Sequence, residues 1–368
     1  MEKTNIEVVP TSNHLSLQRS LQIISVTVVL LLLTEIALQV RSHLKFGQSV
    51  LNLFTNETRY ITHPVSGLLT LRPNSHFKGK ESEVISNAEG LRNAPVSHPK
   101  PADTIRLVYI GASTVMGAYA INNQQTGSAL LEKLLQKQSL NKKVEVINAG
   151  IPGYSLRQQK LMLDYVGRHY KPDGYLLYTG NNDFAGYCKQ NNSKKSTLTA
   201  QLPHLKMPSW LLTPELILKN TVHLRPKAST GQKIDPDNLD FSAFEQSFRA
   251  LLTSAKLQQK QVLVLTNTKA YRQEQPVAEQ MKLSETARFY NACFELADLH
   301  RLYEAHNLRI KQIAKEFNFP VLDVEQILPG GRAYFVDATH FNYKGELLLA
   351  EKLSEIIIRN KMFGVATQ

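Results

Sequence analysis

The sequence predicts an α/β fold in which a doubly wound, flavodoxin-like parallel sheet of about five strands is covered by helices on both faces. Two observations carry this prediction: short apolar runs alternate with longer amphipathic stretches, and the first three runs end in glycine. Continuous apolar runs are expected where a parallel strand is buried on both faces. The predicted strands are Ile105–Gly111, Val144–Gly150, Gly174–Gly180, Gln261–Asn267 and Pro320–Val324.

The amphipathic stretches predict the helices that connect and cover these strands. They are Thr126–Gln138, Ser155–Tyr170, Phe241–Gln258 and Ser284–Phe317. The span 185–240 interrupts the alternation, since it is rich in Asn, Ser, Lys, Thr and Pro and carries the only tryptophan, Trp210. A loop of this length is usually functional or disordered. We therefore expect an insertion beside the functional site, with some helix around Pro214–Asn220.

An apolar segment near the N-terminus, Leu21–Val40, predicts a single transmembrane signal anchor. Its 20 residues match the ~20 that an α-helix needs to cross a bilayer. Glu35 weakens the prediction, because a carboxylate in hydrocarbon is costly, although its place near one end brings it close to the interface. A cleaved signal peptide and a buried core helix are the alternatives.

The orientation of this segment is not decided by its flanking charges. Lys3 and Arg19 precede the segment, whereas Arg41, Lys45 and Arg59 follow it closely. Counting positive charges favours a cytoplasmic C-terminal domain by a margin of one, but long domains can translocate regardless of local charge. The domain organisation expected is a tail at 1–20, an anchor at 21–40, a stalk and lead-in at 41–103, and a domain at 104–362 that contains the insertion.

Composition argues against several other classes of protein. The chain has 368 residues, 42% apolar and 20% charged, which is ordinary for a globular protein with a sizeable core. Its two cysteines, Cys188 and Cys293, form no CxxC motif, so a zinc ribbon or redox motif is not expected. A single structural disulfide between them is possible if the domain is exported. The net charge of +12 comes from scattered residues without a nucleic-acid-binding signature, and it fits an anionic lipid or acidic polysaccharide surface better.

Four polar segments fall at the carboxyl ends of the predicted strands, where ligands bind in doubly wound sheets. Taken singly, their residues have ordinary explanations: Ser and Asp cap helices, Asn favours turns, and Gly allows close packing. Their joint occurrence at one edge of the sheet favours a catalytic role instead. The segments are Gly111–Gly117 (GASTVMG), Asn148–Gly153 (NAGIPG), Gly180–Asp183 (GNND) and Asp337–His340 (DATH).

In these four segments the chain resembles the SGNH, or GDSL-type, serine hydrolase superfamily. A Ser, a Gly, an Asn and a His occur in the family's order over about residues 105 to 350. The preceding segment Asn87–Asn93 (NAEGLRN) is similar to the lead-in of membrane-anchored bacterial members. One departure is Ala112, which stands where the family's GDS block has an aspartate.

The resemblance implies a role for each matching residue. Ser113 is the implied nucleophile, His340 the general base and then acid, and Asp337 the group that orients the imidazole. The oxyanion hole is implied to consist of the N–H groups of Ser113 and Gly153 and the side-chain amide of Asn182. Gly150 is a less favoured choice for the glycine. No cofactor and no metal ion are implied.

The sequence thus predicts a serine esterase that acts through an acyl-enzyme on O-acyl, and especially O-acetyl, esters of a glycan or lipid. The expected location is the inner (cytoplasmic) membrane, with a single span and a periplasmic or extracellular domain; no nucleic-acid partner is expected. Two alternatives stay open. One is an O-acetyltransferase for an exported polysaccharide, and the other is a non-catalytic envelope binding or assembly protein that retains the fold.

Overall fold

The computed structural model describes residues 12–46, 59–139, 142–190, 212–213 and 233–365. Its centre is a five-stranded parallel sheet, whose strands are β5 (Thr104–Gly111), β6 (Lys143–Gly150), β7 (Gly174–Tyr178), β8 (Gln261–Leu265) and β9 (Val321–Leu322). Their spatial order is β6-β5-β7-β8-β9, the doubly wound order expected for a flavodoxin-like topology. The predicted fold class is confirmed.

Helices cover both faces of this sheet. Successive side chains of β5 alternate between two cores, with Leu107 and Tyr109 in one and Val108 and Ile110 in the other. Every residue of β5 is buried, as expected for a central parallel strand. The longer helices of the domain are Gly127–Gln138, Leu156–Tyr170, Ser242–Leu257, Leu296–Glu316 and Tyr343–Arg359, and the shorter ones are Ser113–Met116, Tyr187–Gln190, Val277–Leu283, Glu285–Tyr290 and Val324–Ile327.

The predicted helix Ser284–Phe317 is two helices in the structure. Glu285–Tyr290 ends before a short break, and Leu296–Glu316 begins after it with a capping box between Glu295 and Asp298. The break contains Cys293, which forms a disulfide with Cys188 across 105 residues of sequence. The sequence left this pairing open, and hydrophobic periodicity did not reveal the interruption. The helix predicted at Pro214–Asn220, like Trp210, lies outside the described residues.

The lead-in forms two small antiparallel hairpins before the sheet begins. One pairs β1 (Tyr60–Thr62) with β2 (Leu69–Leu71), and the other pairs β3 (His76–Lys78) with β4 (Glu83–Ile85). Arg92 follows them and is buried, and its guanidinium donates to the carbonyl oxygens of Gly117 (2.6 Å), Ala120 (3.0 Å) and Glu83 (3.0 Å). The lead-in is thereby hydrogen-bonded to the loop that follows Ser113–Met116.

A 35-residue helix, Ser12–Phe46, precedes the hairpins. Its segment Leu17–Lys45 is long and apolar enough to cross a membrane, and it is the one such span among the described residues. Its apolar side chains are exposed, for example Leu30 at 58% and Ile23 at 67%, so the alternative of a core helix is not supported. Its C-terminal end contacts the β3–β4 hairpin through an ion pair between Lys45 and Glu81 at 2.8 Å.

Glu35 of this helix is buried, at 6% exposure, and accepts four hydrogen bonds. Gln39 Nε2 donates from the next turn at 2.6 Å. The other three donors come from the insertion: Leu212 N at 3.0 Å, Thr213 N at 2.7 Å and Thr213 Oγ1 at 2.6 Å. A carboxylate with this many donors is well satisfied despite its apolar helix.

Candidate active site

The first part of the site is the turn that joins β5 to the helix Ser113–Met116. Gly111 ends the strand, and a Cβ there would lie 2.3 Å from Val115 Cγ2 and 2.7 Å from Tyr178 O, so only glycine fits. Gly150 at the end of β6 is equally constrained, because its Cβ would lie 2.3 Å from the backbone nitrogen of Met116. These two close approaches pack Ser113 against the carboxyl edge of the sheet.

Ser113, His340 and Asp337 form a continuous hydrogen-bonded chain. Ser113 Oγ lies 2.7 Å from His340 Nε2. The other ring nitrogen, Nδ1, lies 2.8 Å from Asp337 Oδ2 and 3.0 Å from Oδ1. The three predicted residues are therefore brought together although 227 residues separate the serine from the histidine. This arrangement matches the nucleophile, base and orienting acid of a serine-hydrolase triad.

The turn that carries Asp337 and His340 is fixed by its flanks. Phe335 and Phe341 pair as an isolated antiparallel bridge across it. Asn342 then caps the helix Tyr343–Arg359 by accepting the N–H of Gly345 at 3.1 Å. These contacts hold His340 on a short segment between a β-bridge and a helix.

The electrostatics of Asp337 favour its ionised form. Burial alone would raise the pKa of this carboxyl group, but hydrogen bonds from the His340 ring and from the N–H groups of Thr339 and His340 outweigh burial and lower the pKa. An ionised Asp337 would stabilise an imidazolium at His340. Tyr119, which the sequence did not indicate, donates to Asp337 Oδ2 at 3.3 Å and packs its ring edge-on against His340.

Gly153 and Asn182 line the same pocket as Ser113 and His340. Gly153 has φ +80°, in the left-handed region. The Asn182 side-chain amide donates one of its two N–H bonds to Tyr154 O at 3.0 Å, which orients the amide and leaves its second N–H for another acceptor. Gly150 packs against the turn that carries Ser113, with its Cβ position 2.3 Å from Met116 N, and is not among the residues that line this pocket.

Asp183, the neighbour of Asn182, has a structural contact. Its carboxylate accepts the N–H of Leu156 at 3.2 Å, at the start of the helix Leu156–Tyr170. Burial raises the pKa of Asp183 to about 6. It thereby connects the loop that carries Asn182 to the segment that follows Gly153.

The pocket has a volume of about 300 Å³, and its outer wall was not predicted from sequence. This wall comes from the helix Glu285–Tyr290 and from the break after it, the region that periodicity assigned to one long helix. The disulfide Cys188–Cys293 joins the loop beyond Asn182 to this wall. The wall residues are Thr286, Ala287, Tyr290 and Asn291, with Tyr303 from the next helix.

Comparison with known proteins places the chain in a family. The family model for GDSL-like lipase/acylhydrolase matches residues 107–353, which is more than half of the chain. A search of curated proteins gave no significant match.

Solved structures of esterases align with this chain at low identity and low TM-score. An acetyl xylan esterase is 16% identical with a TM-score of 0.43 and aligns over 69% of this chain and 100% of its own. An acetylxylan esterase from Geobacillus stearothermophilus is 18% identical (TM-score 0.41; 69% and 94%). A lipase/acylhydrolase from Enterococcus faecalis is 17% identical (TM-score 0.42; 69% and 95%).

The family match spans the sheet and all the site segments described above, from β5 to the helix that follows His340. The chain therefore belongs to the GDSL-like lipase/acylhydrolase family and is an ester-acting hydrolase.

Proposed function

We propose that this protein is a membrane-anchored serine esterase that removes short O-acyl groups, foremost O-acetyl, from a glycan or lipid through an acyl-enzyme. The observation that carries the proposal is the chain of contacts Ser113 Oγ–His340 Nε2 at 2.7 Å and His340 Nδ1–Asp337 Oδ2 at 2.8 Å. The proposed catalytic domain spans 104–362, with the insertion at 185–240.

In the proposed mechanism, His340 Nε2 accepts the Ser113 hydroxyl proton as Oγ attacks the acyl carbonyl carbon. The N–H groups of Ser113 and Gly153 and the amide of Asn182 donate to the developing oxyanion. The ester C–O bond then breaks, and His340 gives its proton to the leaving alcohol. Water then attacks the carbonyl carbon of the acyl-enzyme and gives its proton to His340. The bond to Ser113 Oγ breaks, His340 returns the proton to Ser113, and the carboxylic acid is released.

The acyl preference rests on the size of the pocket beside Ser113. A volume of about 300 Å³ lies at the lower end for small-molecule sites, and it must hold both the acyl group and part of the alcohol. This supports a short acyl group rather than a fatty-acyl chain. The departure at Ala112 does not remove a contact from the triad, since the three hydrogen-bonded groups are Ser113, His340 and Asp337.

The proposed location is the inner (cytoplasmic) membrane, with the catalytic domain outside the cytoplasm. The apolar helix over Leu17–Lys45 supports the anchor. The disulfide Cys188–Cys293 supports a domain outside the cytoplasm, because disulfides persist in oxidising compartments and are rare in the cytosol. An alkaline phosphatase fusion after residue 45 is expected to be active; an inactive fusion with an active cytoplasmic reporter would reverse this assignment.

The catalytic proposal is tested by labelling the detergent-purified chain with a fluorophosphonate probe. Wild type is expected to be labelled and Ser113→Ala is not, while Ser128→Ala, at a buried serine away from the pocket, keeps the label. Equal labelling of Ser113→Ala would refute the serine mechanism. Hydrolysis of p-nitrophenyl acetate, butyrate and octanoate then tests the acyl preference, which is expected to fall with chain length.

A further inference from the structure

Glu89, His98 and His169 form a cluster on the domain. Their candidate ligand atoms, one carboxylate oxygen and two imidazole nitrogens, all lie within 4.8 Å of one another. His169 Nε2 is 2.9 Å from Glu89 Oε1, and the rings of His98 and His169 are 4.3 Å apart between centroids. Because the three residues come from separate segments, their sequence spacing does not indicate a site.

Outer contacts orient these side chains. Tyr170 donates its hydroxyl to Glu89 Oε2 at 2.5 Å and itself accepts from Asn87 Nδ2 at 2.8 Å. The His98 ring stacks on the ring of Tyr170 at 5.2 Å and 22°. The other oxygen of Glu89, Oε1, is thereby turned towards the His169 ring, in the manner of the outer hydrogen bonds that hold metal ligands in place.

We propose that Glu89, His98 and His169 bind one Zn²⁺ ion, with water completing the coordination. Two imidazoles and one carboxylate are ligands that Zn²⁺ accepts, and tetrahedral ligands at ~2.1 Å from the ion lie ~3.4 Å apart. The 2.9 Å contact must lengthen slightly and the widest separation must shorten. Both histidines are exposed, so their rings can make this adjustment.

The charges around the cluster suit a cation. Glu89 supplies the carboxylate of the group, and the two imidazoles complete it. The neighbouring cation Arg106 is paired with Glu145 at 2.7 Å, which offsets its repulsion.

The position of the cluster indicates a structural role. His169 lies at the end of the helix Leu156–Tyr170, and His98 precedes the start of β5 at Thr104, so the cluster sits at the amino edge of the sheet, opposite Ser113. Glu89 and His98 both belong to the lead-in, which ends before β5. A bound ion would join the lead-in to the helix Leu156–Tyr170, without contact with the ester.

The test uses the full chain in detergent, without a polyhistidine tag and stripped with EDTA. Titration with Zn²⁺ against a chromophoric chelator is expected to give one tight site, and Zn²⁺ is expected to raise the unfolding temperature. His98→Ala and His169→Ala should each weaken binding by at least about tenfold, and Tyr170→Phe, which removes an outer hydrogen bond, by about tenfold.

The matched control is His76→Ala. His76 is also exposed and also contacts a glutamate, with Nε2 2.7 Å from Glu83 Oε1, but among the described residues it belongs to no group of three metal-binding side chains. His76→Ala should retain Zn²⁺ binding. The proposal is overturned if wild type binds no Zn²⁺, if His98→Ala and His169→Ala bind it as wild type does, or if His76→Ala loses it equally. Unfolding in EDTA verifies that each variant folds, and fluorophosphonate labelling in EDTA should be unchanged.

Discussion

Asp337 holds both the ring and the backbone of His340. Its Oδ1 accepts the N–H of His340 at 2.9 Å, while the ring nitrogen Nδ1 lies 2.8 Å from Oδ2. One carboxylate therefore fixes the turn and the imidazole on it together. This differs from hydrolases with a nucleophile elbow, whose acid and base lie on separate loops. The orientation of the proposed base depends on three residues of local chain.

Asp337→Asn is expected to reduce kcat for p-nitrophenyl acetate by about 10³–10⁴-fold, because an amide stabilises the wrong imidazole tautomer and cannot balance the imidazolium charge. The asparagine oxygen still accepts the backbone N–H groups, so the unfolding temperature should change little. Steady-state kinetics measures the expected loss of kcat, and thermal unfolding checks that the unfolding temperature is retained. A loss of less than about tenfold would remove Asp337 from the proposed role.

Asn182→Ala is expected to lower kcat by about 10²–10³-fold with little change in KM, since its amide would donate to the oxyanion only in the transition state. Asn181→Ala is the matched comparison. Asn181 lines the same pocket, but its side-chain oxygen accepts from the Tyr303 hydroxyl at 2.8 Å. If both variants lose activity equally, the effect belongs to the loop and not to the Asn182 amide.

The double variant Cys188→Ser, Cys293→Ser is expected to lower both stability and activity. The disulfide joins the loop after Asn182 to the pocket wall at Asn291, so its loss should cost about 2–5 kcal/mol in free energy of unfolding and loosen the position of Asn182, a proposed oxyanion donor. Denaturant unfolding and kcat/KM measure the two effects. Dithiothreitol on wild type should reproduce them, and an unchanged kcat/KM would show that the disulfide does not position the site.

Glu346→Gln is expected to make the free energy of unfolding less sensitive to pH. Burial raises the pKa of Glu346 to about 8 from 4.5, so the folded state binds this proton more tightly than the unfolded state does. The resulting stabilisation is complete below pH 4.5 and is lost as the pH rises through 8. The variant's advantage over wild type should grow by roughly 3–5 kcal/mol between pH 5 and 8, at 1.36 kcal/mol per pKa unit, then level off. Urea unfolding at several pH values checks this, and a pH-independent difference would contradict it.

The sequence predicts the sheet well because its strands are continuous apolar runs, and it predicts the meeting of Ser113 with His340 because parallel strands end at one edge. It does not predict the wall from Thr286 to Asn291. There the helix breaks at a disulfide, and hydrophobic periodicity contains no information about a cross-link between distant segments. The contact of Tyr119 with Asp337 is likewise tertiary, since the two residues are 218 apart.

The hydrogen bonds to Glu35 have a consequence for biogenesis. The carboxylate is synthesised 177 residues before Leu212 and 178 before Thr213, which supply three of its four donors. During chain elongation Gln39 is the one partner of these four already present. The N-terminal helix therefore reaches its final hydrogen bonding only after the ribosome has made β5, β6 and β7 and the chain as far as Thr213.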